Sequence, residues 1–248
     1  MMDKPKRDVV ISERLQALAG MVTPGNVVAD IGCDHGFLPI FLVQRGLCPR
    51  VLAMDVRKGP LSRAEEHIAA YGLEDYIETR LSDGLGAYRA GEAQTCVCAG
   101  MGGRLMQKIL TEGRKKAESF QELILQPQSE LADFRRFLRK SGYRMIQENI
   151  LCEEGKYYFL MKVCPETDPE ESEASKEDLE LWDRYGKELL NSRHPVLKRY
   201  LEDALRTAEQ IQETVLEKSR ERSGERLGEI GAEIAWLNRA LMFYGPGQ

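Results

Sequence analysis

The sequence predicts an α/β fold built on a mostly parallel sheet, followed by a helical hairpin. Val27–Leu42, VVADIGCDHGFLPIFL, reads as a buried strand, a glycine turn and a helix, the unit that opens a doubly wound sheet. Val51–Val56, VLAMDV, reads as a second buried strand. Beyond residue 203, apolar residues recur at alternating spacings of three and four, which indicates packed helices.

Five further strands complete the predicted sheet. They are expected at Tyr76–Arg80, Thr95–Ala99, Glu122–Gln126, Tyr143–Leu151 and Tyr157–Val163. The fourth strand is small and apolar throughout, as expected for a strand covered on both faces. The last two flank the turn Glu153–Gly155 and predict a hairpin, which makes the final strand antiparallel to the others. An amphipathic helix is predicted at Leu131–Lys140.

The first glycine turn has the chemistry of a nucleotide-like cofactor site. Gly32 and Gly36 remove side chains where the backbone must approach a ligand. Asp30 and Asp34 add carboxylates at the end of the strand, so the pattern is D-x-G-x-D-x-G rather than the dinucleotide pattern G-x-G-x-x-G. Asp34 would repel a pyrophosphate and attract an amino group. The turn therefore favours S-adenosylmethionine over NAD.

Residues after the second, third and fourth strands extend this predicted site. Asp55 ends the second strand, about 20 residues beyond the first turn, where doubly wound folds hold ribose hydroxyls. Asp83, in a polar turn after the third strand, can accept a hydrogen bond from the adenine amine. The predicted cofactor-binding residues are Asp30, Gly32, Cys33, Asp34, His35, Gly36, Asp55, Val56, Ser82, Asp83, Gly84 and Gly100.

A second glycine turn, Gly100-Met101-Gly102-Gly103, follows the fourth strand. Its three glycines leave bare backbone at the carboxyl edge of the sheet, where open α/β folds bind ligands. A flat base can lie against such a surface. A strand-to-helix turn without chemistry is the alternative, and its position after the fourth strand favours the functional interpretation.

Three motifs together resemble the bacterial tRNA (adenine-22-N1)-methyltransferase family. They are ADIGCDHGFLP at 29–39, AGMGGRLM at 99–106 and LILQPQSE at 123–130, and a long helical extension follows them. The resemblance implies a Rossmann-like class I methyltransferase core, with a seven-stranded, mostly parallel sheet and an antiparallel last strand. It also implies S-adenosylmethionine as cofactor and tRNA as substrate.

The implied reaction asks mainly for positioning, because adenine N1 has an available lone pair and the sulfonium methyl is already activated. We therefore predict a catalytic set in which the glycine turn forms a platform and Gln126 hydrogen-bonds the base. This set is Gly100, Met101, Gly102, Gly103 and Gln126. Two alternatives stay open: a class I methyltransferase acting on a protein or small molecule, and an inactive cofactor-binding scaffold that works through its helical arm.

The net charge of −5 is concentrated in one short segment. Residues 164–180 contain eight acidic residues and one basic residue, in a Pro/Glu/Ser-rich stretch typical of a linker. We predict a catalytic domain at 1–163, an acidic linker at 164–180 and a helical hairpin at 181–248. The catalytic domain is slightly basic without the linker. Its candidate RNA contacts are Arg7, Arg14, Arg57, Lys58 and Arg104.

The C-terminal region is predicted to form a coiled-coil hairpin of two antiparallel helices. The two apolar seams are Ala204, Ala208, Ile211 and Val215, and Leu227, Ile230, Ile234, Leu237 and Leu241. The hairpin can be purely structural, can help grip tRNA as the resemblance implies, or can join two copies. We expect a monomer or a weak dimer.

Composition excludes several other classes of protein. No apolar run approaches the roughly 18 residues that span a membrane, and no signal peptide is recognisable, so we expect a cytoplasmic protein without a membrane partner. The six cysteines lack paired C-x-x-C spacing, so no metal site is predicted. Cys33, in the first turn, is expected to be reachable by electrophiles, and Cys96 and Cys98 to fill the core.

Overall fold

The computed structural model describes residues 8–167, 174–218 and 224–245. Its centre is a seven-stranded sheet in the order β3-β2-β1-β4-β5-β7-β6. The strands are β1 Val28–Ile31, β2 Val51–Asp55, β3 Ile77–Leu81, β4 Thr95–Met101, β5 Glu122–Pro127, β6 Arg144–Glu153 and β7 Lys156–Cys164. Strands β1 to β5 are parallel, and β7 pairs antiparallel with both β5 and β6. The predicted fold class, including the antiparallel last strand, is confirmed.

Helices cover both faces of this sheet. In chain order they are α1 Glu13–Met21, α2 Phe37–Gln44, α3 Lys58–Tyr71, α4 Gly103–Glu112, α5 Arg114–Ala117, α6 Leu131–Lys140, α7 Lys176–Tyr185, α8 Lys187–Asn191, α9 Pro195–Lys218 and α10 Gly224–Leu241. Strand β1 lies between β2 and β4, so the chain order reverses there. In open α/β sheets this reversal opens a ligand crevice at the carboxyl ends of the strands.

The hydrophobic core divides by strand periodicity into two clusters, one on each face. Ala29, Leu52 and Cys96 belong to one cluster, whereas Val28 and Val51 belong to the other. Alternate side chains of a strand point to opposite faces, so each central strand contributes to both clusters. Cys96 and Cys98 are both buried in the first cluster, which confirms their expected role as apolar filling.

The C-terminal helices share the first of these cores. Leu197, Leu201 and Leu237 are buried there with residues of the sheet. Helices α9 and α10 pack against each other with Ala208 and Ile230 buried, so the predicted helical hairpin is confirmed. The expectation of a monomer or weak dimer stays a prediction.

The predicted linker 164–180 differs from the structure at both ends. Strand β7 continues through Cys164, and α7 begins at Lys176. Helix α7 is then tied to the sheet domain, because the Arg135 side chain of α6 ion-pairs with Glu148 of β6 at 2.8 Å and donates to the Asp183 carbonyl of α7 at 3.2 Å. The three-part division of the chain stays a prediction about its sequence organisation.

Within the described ranges, no helix is both long and apolar enough to cross a bilayer.

Candidate cofactor and substrate site

A cavity of about 510 Å³ opens at the carboxyl ends of β1, β2 and β4. It is lined by Arg14, Leu15, Asp30, Ile31, Gly32, Cys33, Asp34, His35, Phe37, Leu38, Asp55, Val56, Arg57, Ser82, Asp83, Gly84, Ala99, Gly100, Met101, Leu105, Ile109 and Gln128. Every residue predicted to bind the cofactor, except Gly36, lines this cavity. The sequence therefore located the cavity from its turns alone.

The two glycines of the first turn have different roles. Gly32 has φ +80°, and a Cβ there would overlap the Met101 side chain, so its absence lets the first and second turns touch. Gly36 has φ +74° and precedes α2. A Cβ on Gly36 would lie 3.1 Å from the Ala64 Cβ of α3. Gly36 does not line the cavity, and its left-handed backbone serves close helix packing, so its contact with the cofactor stays a prediction.

Two buried carboxylates define the electrostatics of the cavity. Burial, and then the neighbouring charge of Asp55, raises the pKa of Asp30 to about 7. Among the described residues, the Asp30 carboxylate has neither a hydrogen-bonding partner nor a cation. Asp55 Oδ2 accepts from the Asp34 N–H at 3.3 Å, and its Oδ1 accepts from the Arg57 N–H at 2.8 Å. Asp55 therefore orders the turn, while both acids favour a ligand with positive charge and hydroxyl groups.

The far end of the cavity has the features of an adenine slot. Ser82 is buried, and its hydroxyl donates to the Gly84 carbonyl at 2.8 Å, which shapes the turn that presents Asp83. Val56 is 58 % exposed and Leu105 is 48 % exposed, although both line the cavity. Exposed apolar side chains beside an acidic group provide stacking surface and an acceptor for an amino-purine. The sequence analysis did not predict Leu105 as a site residue. The signal for it is that this leucine lies outside the row of buried apolar residues on α4.

The second turn is a bulge in β4. Gly100 has φ +77°, and the register between β4 and β5 shifts around it. A Cβ on Gly100 would meet only the Gln128 Nε2, at 3.8 Å, so backbone conformation rather than space favours glycine. Bulges next to active sites commonly redirect the chain in this way.

Only half of the second turn faces the cavity. Gly100 and Met101 line it, whereas Gly102 and Gly103 do not. A Cβ on Gly103 would lie 2.5 Å from the Ser129 carbonyl oxygen. These two glycines let α4 begin against the loop after β5, and their place in a base platform stays a prediction.

Gln126, the glutamine predicted to contact the base, is buried beneath the second turn, and Gln128 lines the cavity instead. Gln126 is fully buried, and its Oε1 accepts from the Gly100 N–H and from Arg14 Nη1, each at 3.1 Å. It therefore fixes the second turn and does not line the cavity, so its predicted contact with the base is not supported. Gln128, which sequence reasoning missed, is exposed and does line the cavity. Pro127 ends β5 between them.

The predicted RNA contacts are scattered around this opening. Arg14 is half-buried, bonded to Gln126 and placed over the Tyr158 ring at 5.5 Å. Arg57 and Lys58 are exposed beside the end of β2. Arg104 is exposed and its Nε lies 3.4 Å from Glu130 Oε1. Arg7 lies outside the described residues.

Neither Cys33 nor His35 is arranged as a nucleophile or base. Cys33 is buried, and burial, followed by the neighbouring aspartates, raises the pKa of its thiol far above the usual value. The expectation that electrophiles reach it is wrong, since thiolate formation is suppressed. The His35 ring stacks on Phe37, with centroids 5.9 Å apart, and its Nε2 lies 3.6 Å from Asp34 Oδ2. No cluster suited to a metal ion occurs within the described ranges.

Fold and site together define a class I methyltransferase that uses S-adenosylmethionine. The unpartnered Asp30 fits the ammonium of that cofactor, Asp55 the ribose, and Val56, Asp83 and Leu105 the adenine. When bound, S-adenosylmethionine supplies an activated methyl group on a sulfonium.

Comparisons with known proteins narrow this class. Residues 11–161 match the family model described as a methyltransferase domain. The chain is 37% identical over 154 residues to the tRNA (adenine(22)-N(1))-methyltransferase of Bacillus subtilis, an alignment that spans 62% of this chain and 65% of that protein. The crystal structure of Streptococcus pneumoniae Sp1610, a putative tRNA (m1A22) methyltransferase, is 31% identical with a TM-score of 0.83, covering 94% of this chain and 100% of that one. The same pneumococcal protein has been solved in complex with S-adenosyl-L-methionine, and aligns with a TM-score of 0.80, 31% identity and the same coverage of both chains. The chain belongs to the bacterial tRNA (adenine-22-N1)-methyltransferase family.

Proposed function

We propose that this protein transfers the methyl group of S-adenosylmethionine to N1 of adenine 22 in tRNA. The observation that carries the proposal is the junction of the two turns, where the bulge at Gly100 adjoins the acid-lined cofactor cavity. The names of the Bacillus and Streptococcus relatives support the same acceptor. A tRNA substrate also implies action in the cytoplasm.

The residues of the cavity account for binding and orientation. Asp30 and Asp55 hold the cofactor, and the contact between Met101 and Gly32 keeps the second turn against it. Gly100 presents backbone without a side chain, which gives a flat base access to the methyl group. Gln126 fixes this turn from below.

No proton has to leave adenine N1 before it attacks, because N1 carries a lone pair and no hydrogen in neutral adenine. The positive charge passes from the sulfonium to the methylated base, and the carboxylates of Asp30 and Asp55 stay in the same cavity throughout. The site must also receive a base that is withdrawn from its stack and pair. Positioning and exclusion of water therefore supply the rate enhancement.

Transfer of labelled methyl to unmodified tRNA tests this proposal. The expected product is 1-methyladenosine at position 22, and it should disappear when that adenosine is replaced by guanosine. Cofactor binding is measured in parallel. Cofactor binding without transfer to any tRNA would contradict the proposal and favour a protein or small-molecule acceptor.

A further inference from the structure

Gln128 lines the cavity beside the second glycine turn. Its side chain makes no contribution to holding the fold together. Its backbone N–H donates to the Met101 carbonyl at 2.8 Å, which fixes its position relative to the second turn. Its side-chain Nε2 points beside Gly100, 3.8 Å from where a Cβ would lie. Among the described residues, the Gln128 amide has no hydrogen-bonding partner. In the corresponding amide of Gln126, the oxygen accepts from the Arg14 side chain and the Gly100 N–H, and the nitrogen donates to the Pro127 carbonyl.

The second turn itself offers no donor at this point. The Gly100 N–H is already bound to Gln126, so the backbone of this glycine supplies surface but no free N–H. A primary amide carries one acceptor and two donor hydrogens. Gln128 therefore provides the polar group that the glycine surface lacks.

Adenine offers a matching pair of groups away from the reacting atom. Its N6 amine donates and its N7 accepts, and glutamine forms a bidentate pair with these two atoms. This pairing leaves N1 uncovered, whereas pairing along the Watson–Crick edge would occupy it. Guanine presents two acceptors, O6 and N7, so one of them would face the amide oxygen without a hydrogen.

We propose that Gln128 selects the target adenine by bonding N6 and N7 while N1 faces the methyl group. This inference rests on the proposed tRNA adenine-N1 activity and adds a base-selecting residue to it. The amide does not take part in bond making, so its contribution is orientation and choice of base.

Substrate analogues separate base selection from a structural effect. A tRNA carrying 7-deazaadenosine at position 22 lacks the N7 acceptor but keeps N1 and the N6 amine. For the native protein we expect kcat/KM to fall roughly 5- to 150-fold with this tRNA, the cost of leaving one amide donor without its acceptor. Gln128→Leu should lose a similar factor on normal tRNA and should no longer distinguish the two substrates.

Gln128→Glu should reverse the preference between the normal and the 7-deaza tRNA. Its carboxylate can accept from the N6 amine but would repel the N7 lone pair, so this variant should prefer the 7-deaza substrate. Gln121→Leu is the matched control, because Gln121 is an exposed glutamine at the opposite end of β5. It should keep the native preference. Melting temperature should be unchanged in all three variants, and cofactor affinity is measured in each of them so that an effect on the cofactor is separated from an effect on the base.

Each result has a distinct meaning. If the native protein methylates both tRNAs equally, or if Gln128→Leu keeps the native preference, Gln128 does not read the base. If the native protein fails to methylate normal tRNA, the proposed function itself is contradicted, and with it the role of Gln128.

Discussion

The two edges of the sheet treat buried carboxylates in opposite ways. At the amino edge, Glu122 accepts from the Thr23 N–H at 2.9 Å and from Thr95 Oγ1 at 2.7 Å, and it ion-pairs with Lys162 at 2.7 Å. Burial acts to raise the pKa of Glu122, but these bonds outweigh it and lower the pKa below its usual value. At the carboxyl edge, Asp30 has no such partners and its pKa rises to about 7. A buried carboxylate that is hydrogen-bonded within the fold stabilises it, whereas a buried carboxylate without hydrogen-bonding partners is a candidate for binding a ligand.

The largest effect is expected at the amino edge. Glu122→Ala leaves Lys162 in a mostly buried position without its acid, so the free energy of unfolding should fall by about 3–5 kcal/mol. Urea denaturation measures this loss. Glu118→Ala, which breaks an exposed pair with Arg114, is the control and should change stability by less than about 1 kcal/mol. If Glu122→Ala lowers the free energy of unfolding by no more than Glu118→Ala does, the carboxylate at the amino edge does not stabilise the fold and the contrast with Asp30 fails.

Asp55→Ala should affect ligand binding more than folding. The dissociation constant for S-adenosylmethionine should rise roughly 10- to 100-fold, the value of hydrogen bonds to a charged acceptor. Calorimetric titration checks this against Asp75→Ala, an exposed aspartate outside the cavity lining. Equal affinities in the two variants would contradict the assignment of Asp55 to the cofactor.

Asp30→Asn should stabilise the empty protein. The native pKa of about 7 lies above the usual aspartate value of 3.8, so ionisation of Asp30 costs stability increasingly as pH rises from about 4 to 7. This pKa shift corresponds to roughly 4 kcal/mol at pH 8, and a buried asparagine amide without partners costs about 2 kcal/mol. The free energy of unfolding should therefore rise by roughly 2 kcal/mol at pH 8, and by less at pH 5. Glu122 has the opposite sign, because its lowered pKa adds stability that disappears as pH falls below the usual carboxyl range. Urea denaturation of the native protein and Asp30→Asn at pH 5 and pH 8 measures this difference. If Asp30→Asn is less stable than the native protein at pH 8, the Asp30 carboxylate is not an uncompensated buried charge.

The smallest effect on stability is expected for Gly100→Ala. A left-handed backbone costs a non-glycine residue about 1 kcal/mol, and the added methyl meets only Gln128 at ordinary contact distance. Methyl transfer should fall more than cofactor affinity, because the change lies where the base approaches. Loss of cofactor affinity without a matching loss of transfer would place Gly100 in the cofactor site alone.

The strands and the position of the cavity were predictable because both follow from local patterns. Continuous apolar runs marked the buried strands, and the glycines and acids after them marked the carboxyl edge. The helix at Leu131–Lys140 was predicted with its observed bounds for the same reason, since its apolar stripe has a clear period.

The errors concern side chains whose role depends on tertiary neighbours. Gln126 and Gln128 flank Pro127, and sequence alone does not show which amide is buried beneath Gly100 and which emerges. The packing role of Gly36 was missed because its neighbour Ala64 belongs to α3, which begins only after the next strand. Cys33 lies in a turn that lines the cavity, but only the fold shows that its thiol is buried.

The affinity of S-adenosylmethionine between about pH 5.5 and 7, compared in the native protein and Asp30→Asn, tests the central claim most directly. Native affinity should increase with pH as Asp30 loses its proton, because the ionised form attracts the cationic ligand. The Asn variant should bind more weakly and should lack this part of the pH dependence. If the variant keeps both the native affinity and the native slope, the unpartnered acid at the carboxyl edge does not hold the cofactor.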